Sequence, residues 1–152
     1  VTVNKSPVVA PALGTVDYVF ANATTVMPGA GTASFRPLGG TLQSVTGSID
    51  VNFVARQDNV TVNNLGFTIG ILTFSGLNGV TTYSATSGSG GFQGNYYSGS
   101  CSGCTAFVPG SSSFGGNFIG KDAAGLIFST ILLTGTNTAS GVHVFGRPSH
   151  SP

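Results

Sequence analysis

Residues 113–128 read SFGGNFIGKDAAGLIF. Aromatic residues alternate with glycines, an oppositely charged pair follows, and an apolar run closes the stretch. Three readings compete for Gly120-Lys121-Asp122. A phosphate loop needs GxxxxGK followed by Ser or Thr and then a helix, but here Asp122 and Ala123 follow, and LIFSTILLT (126–134) has β composition. A catalytic centre needs acid–base groups, and the chain has only four acidic residues, all aspartate. Asp17, Asp50 and Asp58 fall in or beside alternating strands, no GxSxG elbow occurs, and His143 lies on a strand, where a wall residue is expected rather than a base. The third reading is strand, tight turn, strand. Asp122 is a good turn residue, Lys121 keeps the turn solvated, and rings can pack over neighbouring glycines while the backbone bends. Gly120, Lys121 and Asp122 are therefore expected to form a structural turn, in a chain that is not an enzyme.

Working outward, the clearest strand is VTGSIDVNFVAR (45–56). Val45, Gly47, Ile49, Val51, Phe53 and Ala55 occupy one face, and Thr46, Ser48, Asp50, Asn52 and Arg56 the other; only Val54 breaks the period of two. Gln57-Asp58-Asn59 supplies a turn, and VTVNNLGFTIGILTF (60–74) begins the return strand. Similar runs are TVDYVFAN (15–22), TASFRPL (32–38), VTTYSAT (80–86), GGFQGNYY (90–97), SFGGNFIG (113–120), LIFSTILLT (126–134) and SGVHVFG (140–146). PGAG (28–31), GLNG (76–79), SGSG (87–90) and GTNT (135–138) separate them. No helical period is sustained. Many short strands at regular spacing predict a sandwich or barrel, and glycines inside strands favour a small, strongly curved barrel. The expectation is an all-β, single antiparallel up-and-down barrel of about eight strands over residues 14–147. An extended arm (1–13), interrupted by Pro7 and Pro11, precedes it, and a flexible tail (148–152) follows.

Composition excludes several function classes. Hydrophobic residues make up 40% of the chain and charged residues 6%, with a net charge of +1. The bases Lys5, Arg36, Arg56, Lys121 and Arg147 are scattered, so no patch can neutralise several phosphates and no nucleic-acid partner is expected. Low net charge favours association. The cysteines stand as C101-S-G-C104 in loop composition, with no helix to lower a thiol pKa. A zinc site needs about four ligands, and His143 and His150 are far along the chain. Cys101 and Cys104 are expected to form a small loop disulfide, which favours an oxidising compartment; no metal is expected. Apolar runs are broken by Gly, Ser or Thr, so no spanning helix is predicted. An outer-membrane barrel is disfavoured by imperfect alternation and the lack of aromatic girdles.

The pattern GxFxGKDA at 116–123, followed by GLIF (125–128) and GVHVFGR (141–147), resembles the C-terminal barrel of transferrin-binding protein B-like surface proteins, and is similar to the barrel ending some Gram-negative FecR-domain proteins. GTLQSVTGSIDVNF (40–53) fits the long hairpins of that family. Lys121 stands where the family has proline, the interval Ala123-Ala124-Gly125 is short, Val1 is not a lipid-modified cysteine, and the handle domain of larger relatives is missing. The resemblance implies the barrel fold and a Gram-negative cell-surface, extracellular or periplasmic setting. Its members bind diverse partners, so it implies no particular ligand.

The expected function is a non-catalytic envelope or extracellular module acting through protein contacts, as a structural or assembly subunit. Val1, Val3, Val8 and Val9 of the arm would pair with a neighbour's strand edge, and Tyr96 and Tyr97 would supply partner contacts, although alternation allows only one of the two to face outward. Association with a membrane complex is compatible with this; spanning is not expected. The alternative is a surface or periplasmic ligand-binding barrel of the iron-carrier or haem-acquisition type. No cofactor is required; if haem bound, His143, Tyr83 or Met27 would be axial candidates.

Overall fold

The computed structural model describes residues 4–10, 14–24, 26–83, 90–135 and 137–148. Ten strands are present among them. β1 (Asn4–Ala10) and β2 (Gly14–Phe20) pair as an antiparallel two-stranded sheet, with Pro7 opposite Asp17. The other eight are β3 (Thr32–Gly40), β4 (Gln43–Asn52), β5 (Val60–Ile69), β6 (Leu72–Thr81), β7 (Gly91–Ser102), β8 (Ser113–Ile119), β9 (Gly125–Leu133) and β10 (Thr138–Gly146). They form a closed barrel in which each strand pairs antiparallel with the next in sequence, and β10 returns to β3. The expected up-and-down barrel of eight strands is the observed fold. Its first strand is β3, however. The run at 15–22 pairs with residues 4–10 instead of entering the barrel.

The interior is filled by rings. Phe35, Phe67, Phe74, Tyr96, Phe118, Phe128 and Phe145 are almost completely buried, with Leu and Ile between them. Phe118 is within 6.3 Å of Phe35, Phe53, Tyr83 and Phe92, centre to centre, so one ring joins four others. These contacts add to the burial of large apolar surface that stabilises a domain of this size. Glycines make the space. A Cβ on Gly116 would come within 2.6 Å of the Phe92 ring, and the Phe114 ring occupies the place of a side chain at Gly79.

Strand pairing is irregular across one side of the barrel. Gly47 on β4, Asn64 on β5, Gly76 on β6 and Gly99 on β7 all have positive φ, and the register shifts beside each of them. This row of bulges bends four adjacent strands and gives the curvature that a small closed barrel needs. It also corrects two sequence readings. GLNG (76–79) is a bulge inside β6, and the break between strands falls instead at Gly70-Ile71, within the run read as one return strand. Gly70 supplies the positive φ (59°) that the first position of such a turn requires, and the second takes an apolar Ile71, so the turn is hidden inside an apolar run.

Each barrel end is closed differently. At one end, Thr24 N–H donates to Phe118 O (3.0 Å), Gly120 N–H donates to Asn22 O (2.8 Å), and buried Ala123 plugs the opening. At the other end, Cys101 and Cys104 are disulfide-bonded with Cα atoms 5.8 Å apart, and both pack against the core beside Phe107.

Candidate functional site

Because rings occupy the barrel interior, chemistry is confined to the outer wall and the ends. The outer wall is polar and mostly uncharged. Two open grooves lie on it. One, of about 420 Å³, crosses β3, β4 and β5 and is lined by Ser34, Asp50, Asn52, Asp58, Asn59 and Thr61. Asn63 donates to Asp50 Oδ2, while Asp50 Oδ1 has no partner among the described residues. Asn52 and Asn59 are already engaged, each accepting backbone N–H groups through its side-chain oxygen.

The second groove, of about 510 Å³, crosses β7, β8 and β9. Register places the outward residues of these strands in three rows, Gly91, Asn117 and Ile127; Gln93, Gly115 and Ser129; Asn95, Ser113 and Ile131, of which all but Ile127 and Asn95 line the groove. The middle strand carries glycine at the centre, so the floor there is bare backbone. Gln93, Asn117, Ser129 and Ile131 are exposed around it. Every strand under this floor has both neighbours in the ladder. None of these residues was singled out from sequence. Gln93 and Asn117 are isolated amides in glycine-rich runs, and only the register of three strands shows that they border one depression.

The residues expected to act are distributed as follows. Val1 and Val3 lie outside the described residues; Val8 and Val9 fall in β1, opposite Val16 and Thr15. Tyr97 is 67% exposed and faces outward. Tyr96 is corrected: it is a core residue, 1% exposed, with its hydroxyl 2.7 Å from Thr130 Oγ1, and burial raises its pKa well above the ordinary tyrosine value. Strand alternation forces the pair to opposite faces, and the larger apolar burial is on the Tyr96 side. Gly120, Lys121 and Asp122 lie in the connection between β8 and β9. Lys121 and Asp122 are exposed there, and Asp122 has a left-handed backbone (φ 55°). Cys101 and Cys104 form the expected disulfide, at the end of β7.

The three haem-ligand candidates are packing residues. Tyr83 is buried edge-on against Phe53 and Phe118, Met27 packs at the same end near Gly90, and His143 is buried beside Phe145 in the barrel wall. Among the described residues, no group of three or more His, Cys, Asp or Glu side chains is placed to hold a metal ion. No protein-family model and no curated protein sequence matches the chain.

Proposed function

We propose that this chain is a non-catalytic β-barrel module of a cell envelope or extracellular assembly, acting by protein contact as a structural subunit. The observation that carries this reading is the pairing of a solid, closed barrel with a separate two-stranded sheet. Closure removes every sheet edge from the barrel. The β1–β2 sheet is therefore, among the described residues, the pair of strands that stands outside that closed ladder and can offer its edges to a neighbour. Strand addition to a neighbouring hairpin, rather than to a neighbouring barrel, is the corresponding mode of assembly.

The disulfide supports an oxidising compartment, periplasm or exterior. The likeness to transferrin-binding protein B-like barrels supports a Gram-negative surface. The outer wall supports a barrel that does not span the bilayer. A spanning barrel turns apolar residues outward, whereas here Ser75, Gln93, Asn95, Ser100 and Asn117 are exposed and the rings are inside.

The test is particle size without detergent, by light scattering and negative-stain microscopy, for the whole chain and for a chain lacking residues 1–13. Large regular particles that dissociate on truncation are the expected result. Monomers in both cases would sink the assembly reading.

A further inference from the structure

We infer that the groove across β7, β8 and β9 is a binding site for a neutral oligosaccharide. This goes beyond the assembly reading and does not depend on it. Strands are about 4.8 Å apart, and outward residues repeat about every 7 Å along a strand. Three strands by three rows therefore give a footprint of about 10 by 14 Å. That is the size of one or two sugar rings. At its centre, Gly115 removes the side chain that would otherwise fill the depression, while the room left by Gly91 is taken by the Asn117 amide, whose oxygen lies 3.0 Å from where a Cβ would stand.

The lining sets the chemistry. Gln93, Asn117, Ser113, Ser129, Thr82 and Ile131 surround the floor, and no charged side chain lines it. A phosphate, carboxylate or ammonium would lose its hydration without gaining a counter-charge. Amides and hydroxyls offer both donors and acceptors, the complement of vicinal sugar hydroxyls. Gln93 and Asn117 are set on either side of the glycine floor, and the structure shows no hydrogen bond tying either side chain to another described residue. Amides elsewhere on the wall are engaged: Asn63 with Asp50, Asn78 with Gly76 and Ser98, Asn95 with Gly110. Ile131 adds an exposed apolar edge to the lining, on which a CH-rich sugar face can rest.

A peptide fits less well. An extended peptide gains its main-chain bonds at an open strand edge. Here β7, β8 and β9 each have both neighbours in place, so the floor has no free row of N–H and C=O groups.

The experiment titrates the whole, disulfide-intact chain with cello-, malto- and N-acetylglucosamine oligomers, alongside a sulfated glycosaminoglycan, followed by amide NMR and calorimetry. The expected result is saturable, salt-insensitive binding of a neutral oligomer, with shifts centred on Gln93, Gly115, Asn117 and Ser129. The double variant Q93A/N117A, altered only at exposed positions, should keep the dispersed spectrum and lose about tenfold in affinity, since two modest hydrogen bonds go. Absence of binding by all neutral oligomers would overturn the inference. So would binding that Q93A/N117A leaves unchanged, or binding of the sulfated chain alone.

Discussion

Asn78 Oδ1 accepts the backbone N–H of Asn64 at 2.8 Å, tying the side chain of one bulged strand to the main chain of the next. The same amide donates to Gly76 O and to Ser98 Oγ, both at 3.0 Å. One side chain thus bridges bulges on β5, β6 and β7, where the ladder itself cannot satisfy the backbone. Replacing it with Ala leaves the Asn64 N–H and Gly76 O to water at the barrel wall. N78A should destabilise by about 2 kcal/mol, the sum of several modest bonds, and N78D should recover only the bond from Asn64. Urea unfolding of the two variants checks the order; equal stability of N78A and the parent would refute the bridging role.

Inside the barrel, Thr130 donates to Ser113 O (3.1 Å), which leaves its oxygen to accept from the Tyr96 hydroxyl. Y96F removes one donor while Thr130 keeps its own bond, so the expected cost is about 1 kcal/mol. The pH response is sharper. Burial raises the Tyr96 pKa above its unfolded value. Above pH about 10 the unfolded chain releases this proton and the folded chain keeps it. Stability contributed by the neutral phenol is full below that pH and falls as pH rises past it. Burial raises the Tyr83 phenol in the same direction. Denaturation midpoints between pH 8 and pH 11.5 should fall less steeply for Y96F than for the parent.

Two glycines on the barrel predict opposite outcomes for one substitution. A Cβ on Gly116 would meet Phe92 Cζ and Ile127 O, each at 2.6 Å, whereas at Gly39 nothing lies within 4 Å. G116A must displace a core ring or a neighbouring strand and should cost about 1–3 kcal/mol. G39A should be neutral or stabilise by a few tenths, because alanine restricts the unfolded chain. Melting temperatures of the pair, measured side by side, decide whether strand glycines here serve packing.

The disulfide closes a loop of four residues, from Cys101 to Cys104. Chain entropy alone assigns such a short loop about 2 kcal/mol. The double variant C101S/C104S should therefore lower the melting temperature while keeping the barrel's β-rich circular dichroism. Adding a dithiol to the parent should give the same shift. A variant as stable as the parent would remove the disulfide from the list of things holding this end closed.

Much of this architecture was readable because one face of each strand is apolar. Ile49, Val51 and Phe53 point inward as the alternation required, and Val54, the residue out of phase, lies beyond the end of β4, where Asn52 Oδ1 accepts the Val54 and Ala55 N–H groups and turns the chain. The bulges were harder. Asn64 takes a left-handed backbone that asparagine tolerates and that leaves no mark in the pattern of apolar residues. GLNG (76–79) reads as a turn in the sequence because a strand glycine and a turn glycine look alike until their neighbours are known. The groove was not readable at all, since Gln93, Gly115 and Ser129 meet only through the register of three strands.

Arg147 gives the last prediction. Its guanidinium lies 5.0 Å from the Phe53 ring centre and 5.8 Å from that of Phe35, and its backbone N–H donates to Ala124 O at 3.1 Å, so the residue lids the end plugged by Ala123. Its Nε is buried with no hydrogen-bond partner among the described residues. The side chain therefore contributes through its place over two rings, partly offset by an unsatisfied polar atom. R147A loses the cover and should cost about 1–2 kcal/mol, with the cation–π share near 1. R147M keeps the apolar stem, removes the orphaned Nε, and should lie within about 0.5 kcal/mol of the parent. If R147M proves as damaging as R147A, the charge, and not the cover, is what this end of the barrel needs.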